Sequence, residues 1–252
     1  MAKLNENVFL PMSLDGISVY RMKGVDRMVV RRKGGPGAKA IKKSGQFINT
    51  RRHNAEFASA ASAAAHLRHS FRPLMQIHNG NMMPALISLC WKILKKDAVH
   101  GLGEREVQFS QHRPLLQEVT LNPAKPFDAV VQCSFRCKVQ KAKPSVTIQV
   151  PALVKRRNLA LPRGFAYYRL VFTLGLLQDA PTPKQRNHPA HTVSAWTKCS
   201  SGMPAQNYTL KLSSSQTLAA GRSLVIGVGM EMSMDGEKVV RGVGVGRVWE
   251  VV

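Results

Sequence analysis

From Glu104 onward the chain is a succession of short apolar runs with no helical pattern between them, and this constrains the fold more than any other feature. The runs are residues 116–121, 129–139, 146–150, 166–177, 192–199, 208–212, 224–232 and 239–251, separated by turns rich in Pro, Gly, Asn and Ser. Side chains of an extended strand alternate between two faces, so runs of this length with a period near two read as strands. Eight strands without intervening helices point to an antiparallel sandwich or barrel. Asp235-Gly236, between the last two runs, is a strong hairpin signal. Gly227, Gly229, Gly242, Gly244 and Gly246 fall on alternate positions, which leaves one face bare for close approach by a neighbouring layer, helix or subunit. The GVGVG spacing is not a dinucleotide fingerprint: only six residues follow Gly246, too few for a helix that would meet a pyrophosphate.

Between residues 49 and 103 the period is helical. No Gly or Pro interrupts residues 50–72, and Asn49 or Thr50 can cap the start. Phe57, Ala60, Ala61, Ala64, Leu67 and Phe71 then form one apolar stripe along a helix of about five turns. The many alanines permit close approach by another helix or a sheet. A second helix is expected near 82–96, with Leu86, Leu89, Cys90, Ile93 and Leu94 as its stripe. Lys92, Lys95 and Lys96 close it with charges that suit a helix C-terminus.

The first 48 residues carry a different signal. Residues 21–52 hold eleven basic side chains, Arg21, Lys23, Arg27, Arg31, Arg32, Lys33, Lys39, Lys42, Lys43, Arg51 and Arg52, against one acid, Asp26. A short hairpin is expected, with 17–22 pairing with 27–32. Residues 33–45, KGGPGAKAIKKSG, read as a flexible basic linker, and without the GxxxxGK[ST] spacing they are not a phosphate loop. The whole chain has a net charge of +23, which implies an anionic partner or dispersal of charge over a large surface. Arg68 and Arg72 on the first helix continue the theme, as do Lys138, Lys141, Lys143 and Lys155-Arg156-Arg157. Phosphate contacts with little base specificity follow from such charges. Tyr20 and Phe47 alone flank the segment, so stacking on single-stranded bases is not supported.

Reactive chemistry finds little support. Cys90, Cys133, Cys137 and Cys199 form no CxxC pair and read as buried or half-buried free thiols. His66 and His69, and likewise His188 and His191, lie three apart, but no further ligands stand at metal-site spacings; they read as solvated or phosphate-contacting residues. Glu104 and Glu106 read as a solvated strand face, G-x-S-x-G is absent, and fourteen acids offer few general acid or base pairs. No catalytic residue, metal or cofactor is expected. Residues 179–189 read as a long polar loop. There is no secretory signal at the start and no apolar run of about 18 residues, so a soluble protein made in the cytoplasm is expected, its final place a particle or filament.

The order of features resembles a family of Bacteroidota proteins defined by a domain of unknown function. Tyr20-Arg21-Met22-Lys23-Gly24 is followed by Val29-Val30-Arg31, then by a helix opening with Arg51, Arg52 and Phe57, then by β-rich sequence ending in the Asp235-Gly236 hairpin and a final apolar strand. The family's glycine-rich opening is reduced here to Asp15-Gly16. The resemblance implies a bacterial or phage-linked source and a β-rich C-terminal part, and it transfers no catalytic residue.

The reading is an α+β, mainly β chain: an extended basic arm with a hairpin over 1–48, a helical hairpin over 49–103, and an antiparallel β-sandwich, Ig-like or jelly-roll-like, over 104–252. The function expected is that of a non-enzymatic, homo-oligomeric structural or assembly protein. Its arm, with Arg68 and Arg72, would contact nucleic acid or another polyanion. A protein-only filament, tube or surface subunit with the arm docked on a neighbour is the alternative, and a sandwich-type enzyme or carbohydrate-binding module is the second alternative.

Overall fold

The computed structural model describes residues 2–4, 13–14, 16–21, 28–32, 34–77, 81–140, 144–182, 188–213 and 218–252. The chain divides into two compact units, Met1–Arg51 and Arg52–Val252.

In the first unit β1 (Ala2–Leu4), β2 (Ser13–Leu14), β3 (Ile17–Arg21) and β4 (Met28–Arg32) form an antiparallel sheet in the order β1-β4-β3-β2. The expected hairpin is β3 with β4, in register from Ile17 opposite Arg32 to Arg21 opposite Met28. Val19 and Val29 are its buried residues among those described. The glycine-lysine stretch departs from its reading as a flexible linker, because Ala38–Lys43 is a helix, α1, followed by a 3₁₀ turn over Gly45–Phe47. Alanine and lysine are good helix formers, and Gly34–Gly37 only delays the start. Arg51 Nη1 donates to the carbonyls of Ile41 and Ser44 at 2.9 and 2.8 Å, which satisfies acceptors that a helix end leaves open.

In the second unit the helices come first. α2 (Ile48–Ser70) buries Ala60, Ala63, Ala64, Leu67 and Ser70, with Phe71 just beyond its end. This face is rotated from the expected stripe: Phe57 is 55% exposed, and its ring meets Trp91 at 6.3 Å between centroids. Alanine at 63 and 64 lets the backbone come close to a sheet, and that approach outweighs the burial of one phenylalanine. α3 (Met83–Leu94) buries Leu86, Cys90, Ile93 and Leu94, and no described helix is long and apolar enough to cross a membrane.

Two of the predicted strands begin as short helices, α4 (Arg113–Gln117) and α5 (Phe127–Val130). Pro114 sits in the first turn of α4 and Pro126 just before α5, positions where a missing N–H costs nothing. The remaining strands are β5 (Arg136–Gln140), β6 (Ser145–Val150), β7 (Tyr167–Gln178), β8 (Ala190–Val193), β9 (Thr197–Lys198), β10 (Gln206–Lys211), β11 (Arg222–Ser233) and β12 (Val245–Val251). They make two antiparallel sheets, β10-β6-β5 and β12-β11-β7-β8, with β9 also paired to β7. The residues after α4 still act as strand: Leu121 N–H donates to the Gly246 carbonyl at 2.8 Å and Val248 N–H to that of Val119 at 2.9 Å, covering the outer edge of β12.

β7 and β11 do not alternate between core and solvent as their predicted period implied; they are buried on both faces. One face, with Leu170, Phe172, Leu174, Ile226, Val228 and Met230, packs on Val146, Ile148, Val150 and Leu210 of the smaller sheet. The other, with Val171, Leu177, Val225 and Val248, packs on the helical layer of Ala60, Ala64, Leu67, Phe71, Leu74 and Ile77. Three layers therefore share the central sheet. The alternate glycines do what their spacing predicts: a Cβ on Gly227 would lie 2.8 Å from Leu74 Cδ1, and one on Gly229 only 2.3 Å from Ile77 Cδ1.

The Asp235-Gly236 signal also holds. Asp235 Oδ1 accepts from the N–H groups of Glu237 and Lys238 at 2.8 and 2.9 Å, Gly236 takes φ +83°, and Ser233 bridges to Val239. The chain then loops through residues 240–244 before β12 begins at Val245, opposite Met230.

Candidate nucleic-acid interface

Arg21 ends β3, and Arg31 and Arg32 are exposed on β4. Arg31 lies 5.7 Å from the centre of the Tyr20 ring, a diagonal contact across the strand pair. Lys23, Arg27 and Lys33 lie outside the described residues. Lys39, Lys42 and Lys43 are all exposed on α1, which buries nothing of its own. Arg51 differs from these, since its guanidinium is turned to the carbonyls that close α1. Among the described residues none of Arg31, Arg32, Lys39, Lys42 and Lys43 has an acidic partner within ion-pair distance.

The acids are used elsewhere. Glu56, 2% exposed on α2, accepts the Gly103 N–H at 3.0 Å, with Arg105 Nε at 3.7 Å. Asp97 is buried after α3 and accepts the N–H groups of Val99, His100 and Glu106 as well as the His100 ring; the Glu106 N–H leads in holding its carboxyl far below the usual carboxylate range. Asp179 accepts from Ser110, Asp128 pairs with Arg247, and Asp235 organises its turn, where the Lys238 and Glu237 N–H groups bring its pKa down to about 2. Of these, Glu56 and Asp97 are buried and turned to backbone N–H groups, so their charge is not offered to the cations of the surface.

In the second unit Arg52, Arg68 and Arg72 are exposed. Arg52 and Arg68 are sixteen residues apart, about 24 Å along α2 at 1.5 Å per residue, so they are separate contacts. Arg68 and Arg72 come together, lining with His69 and Met75 a concavity of about 370 Å³. Arg72 also lines a second cleft of about 450 Å³ with Gln76, Arg169, His188, His191 and Glu231. Arg169 is held there twice. Its Nε and Nη2 donate to Glu231 Oε2 at 2.7 Å each, and its guanidinium carbon lies 4.4 Å over the Trp196 ring. Glu231 is only 3% exposed.

Sequence reasoning took up Arg68, Arg72, His188 and His191 and missed Arg169 and Glu231. The signal was one charge of each sign in two otherwise apolar runs, YYRLVFTLGLL and LVIGVGMEM. The two residues are directly opposite in the β7–β11 register.

Two other expectations need correcting. His66 is not solvated: it is 4% exposed, and its Nε2 takes the Gln178 N–H at 3.4 Å. Glu104 and Glu106 lie in a turn and loop after α3, not on a strand. The four cysteines are free; Cys90 is buried, with its thiol pushed up to about 12 by desolvation, and the others are half-buried. No group of three or more His, Cys, Asp or Glu among the described residues is placed to hold a metal ion.

Comparison of the chain with protein-family models, curated proteins and solved structures finds no match.

Proposed function

We propose that this chain is a non-enzymatic structural or assembly protein that holds nucleic acid by its phosphates, through Arg31, Arg32, Lys39, Lys42, Lys43, Arg52, Arg68 and Arg72. The observation that carries the reading is the separation of charge. Six acids of the second unit, Glu56, Asp97, Asp128, Asp179, Glu231 and Asp235, are engaged in loops, turns and a strand pair, while these eight cations face solvent. A polyelectrolyte relieves the repulsion of a +23 chain and gains entropy by releasing its condensed counterions. Copies of such a chain pack side by side where a polyanion lies between them. Contacts of this kind position a backbone and read no base.

The test is binding of labelled duplex DNA and RNA by fluorescence anisotropy over a salt series. About six to ten phosphate contacts predict a loss of roughly 10³–10⁵ in affinity between 50 and 200 mM salt. Changing Lys39, Lys42 and Lys43 together to Gln should lower the log–log salt slope by up to about 2.7, at about 0.9 per phosphate contact. Absence of binding to either nucleic acid at low salt would sink the proposal.

A further inference from the structure

We infer that the cleft beside the end of α2, lined by Arg72, Arg169, His188 and His191, is a binding site for a phosphate group. The argument starts from Arg169. Glu231 engages its guanidinium on the Nε and Nη2 side at 2.7 Å, and Trp196 covers one face at 4.4 Å. The Nη1 edge has no partner among the described residues. An arginine fixed on one edge and one face loses little freedom when its other edge takes an anion, and the fork geometry suits two phosphate oxygens.

The rest of the cleft supplies a second arginine and two imidazoles. Arg72 enters from the 3₁₀ turn after α2, and His188 and His191 enter from the segment that forms β8. Glu231 is the sole acid of the lining among the described residues, and its charge is taken by Arg169. Gln76 adds a neutral polar group, while Pro73, Val171, Pro189 and Val193 make the apolar wall. A cleft of about 450 Å³ with a few convergent polar groups is of a size for small ligands. Two arginines and two imidazoles suit a phosphomonoester dianion better than a single carboxylate. The inference stands apart from the arm, since none of these residues belongs to the first unit.

The experiment is calorimetric titration of the full chain with inorganic phosphate, with a nucleoside 5′-monophosphate, with the matching nucleoside, and with a short oligonucleotide with and without a 5′-phosphate. Binding of phosphate and the monophosphate, but not of the nucleoside, identifies a free phosphate ligand. A gain given only by the oligonucleotide's 5′-phosphate identifies a nucleic-acid terminus. Arg72→Gln, on the surface, should weaken binding about tenfold, as expected for one charge-assisted hydrogen bond. Arg169→Lys, which keeps a positive charge for Glu231 but loses the open edge, should weaken it by at least as much. Phosphate-independent binding, binding indifferent to both substitutions in folded protein, or no binding by any phosphate-bearing probe overturns the inference. Changing Lys39, Lys42 and Lys43 to Gln should leave phosphate binding unchanged, which separates failure of the cleft from failure of the arm.

Discussion

A Cβ added at Gly175 would lie 2.5 Å from Cβ of Ser70 and 3.1 Å from its Cα, so the end of α2 rests directly on the β7 backbone. Neither atom is the free end of a flexible side chain, and the helix would have to move. Gly175→Ala is therefore expected to cost about 1–3 kcal/mol, the usual range for overpacking, when unfolding is followed in denaturant. Gly101→Ala is the control: nothing lies within 4 Å of its added Cβ, and the change should stay within about 0.5 kcal/mol. At this scale the sequence was partly legible. Alternate glycines announced a close approach, but only the fold named Leu74, Ile77 and Ser70 as the atoms that approach. Arg51 was counted among the contact cations, and nothing in its neighbours signalled that it closes α1.

At the scale of elements, the loop after α3 illustrates a carboxylate doing the work of secondary structure. Asp97 gathers three backbone N–H groups and His100 Nδ1, the last at 2.7 Å. The hydrogen bond from His100 to Asp97 raises the imidazole pKa, the charges of Asp97, Glu106 and Glu104 add to this, and burial opposes it. A raised folded value means that the stabilisation is fully present below the unfolded value, about 6.5, and is lost as pH rises through the folded one. The parent should therefore exceed His100→Gln in stability at about pH 6, with the gap shrinking by about pH 9, as followed by thermal unfolding of both proteins across that range. The depressed Asp97 acts in the opposite window: its contribution is present above the unfolded carboxyl value and fades only in acid. Element types were well read for β6, β7, β10 and β11, where apolar runs met turn residues. They were misread at α4 and α5, where Pro114 and Pro126 start helical turns inside runs of apolar residues.

For the whole molecule the charge falls into two parts. Residues 1–47 carry ten basic and three acidic side chains, a net +7 of the total +23. A chain starting at Ile48 should keep the denaturation midpoint of the second unit and lose the part of the salt-dependent binding that the first 47 residues supply. A circular-dichroism denaturation curve measured beside the anisotropy titration checks both. A fallen midpoint would mean that the second unit depends on the first for its stability. From sequence alone came the period-two runs, the turns between them, the helical pair, the β3–β4 hairpin and the excess of cations, because each is a local pattern along a few residues. The tertiary structure alone decided that the helices form a third layer on β7 and β11, that α2 turns Phe57 outward, and that Glu56, Asp97 and Glu231 are buried. It alone set Arg169 in a cleft with Arg72 and two histidines. These depend on register and stacking between residues about a hundred positions apart, which no local period encodes.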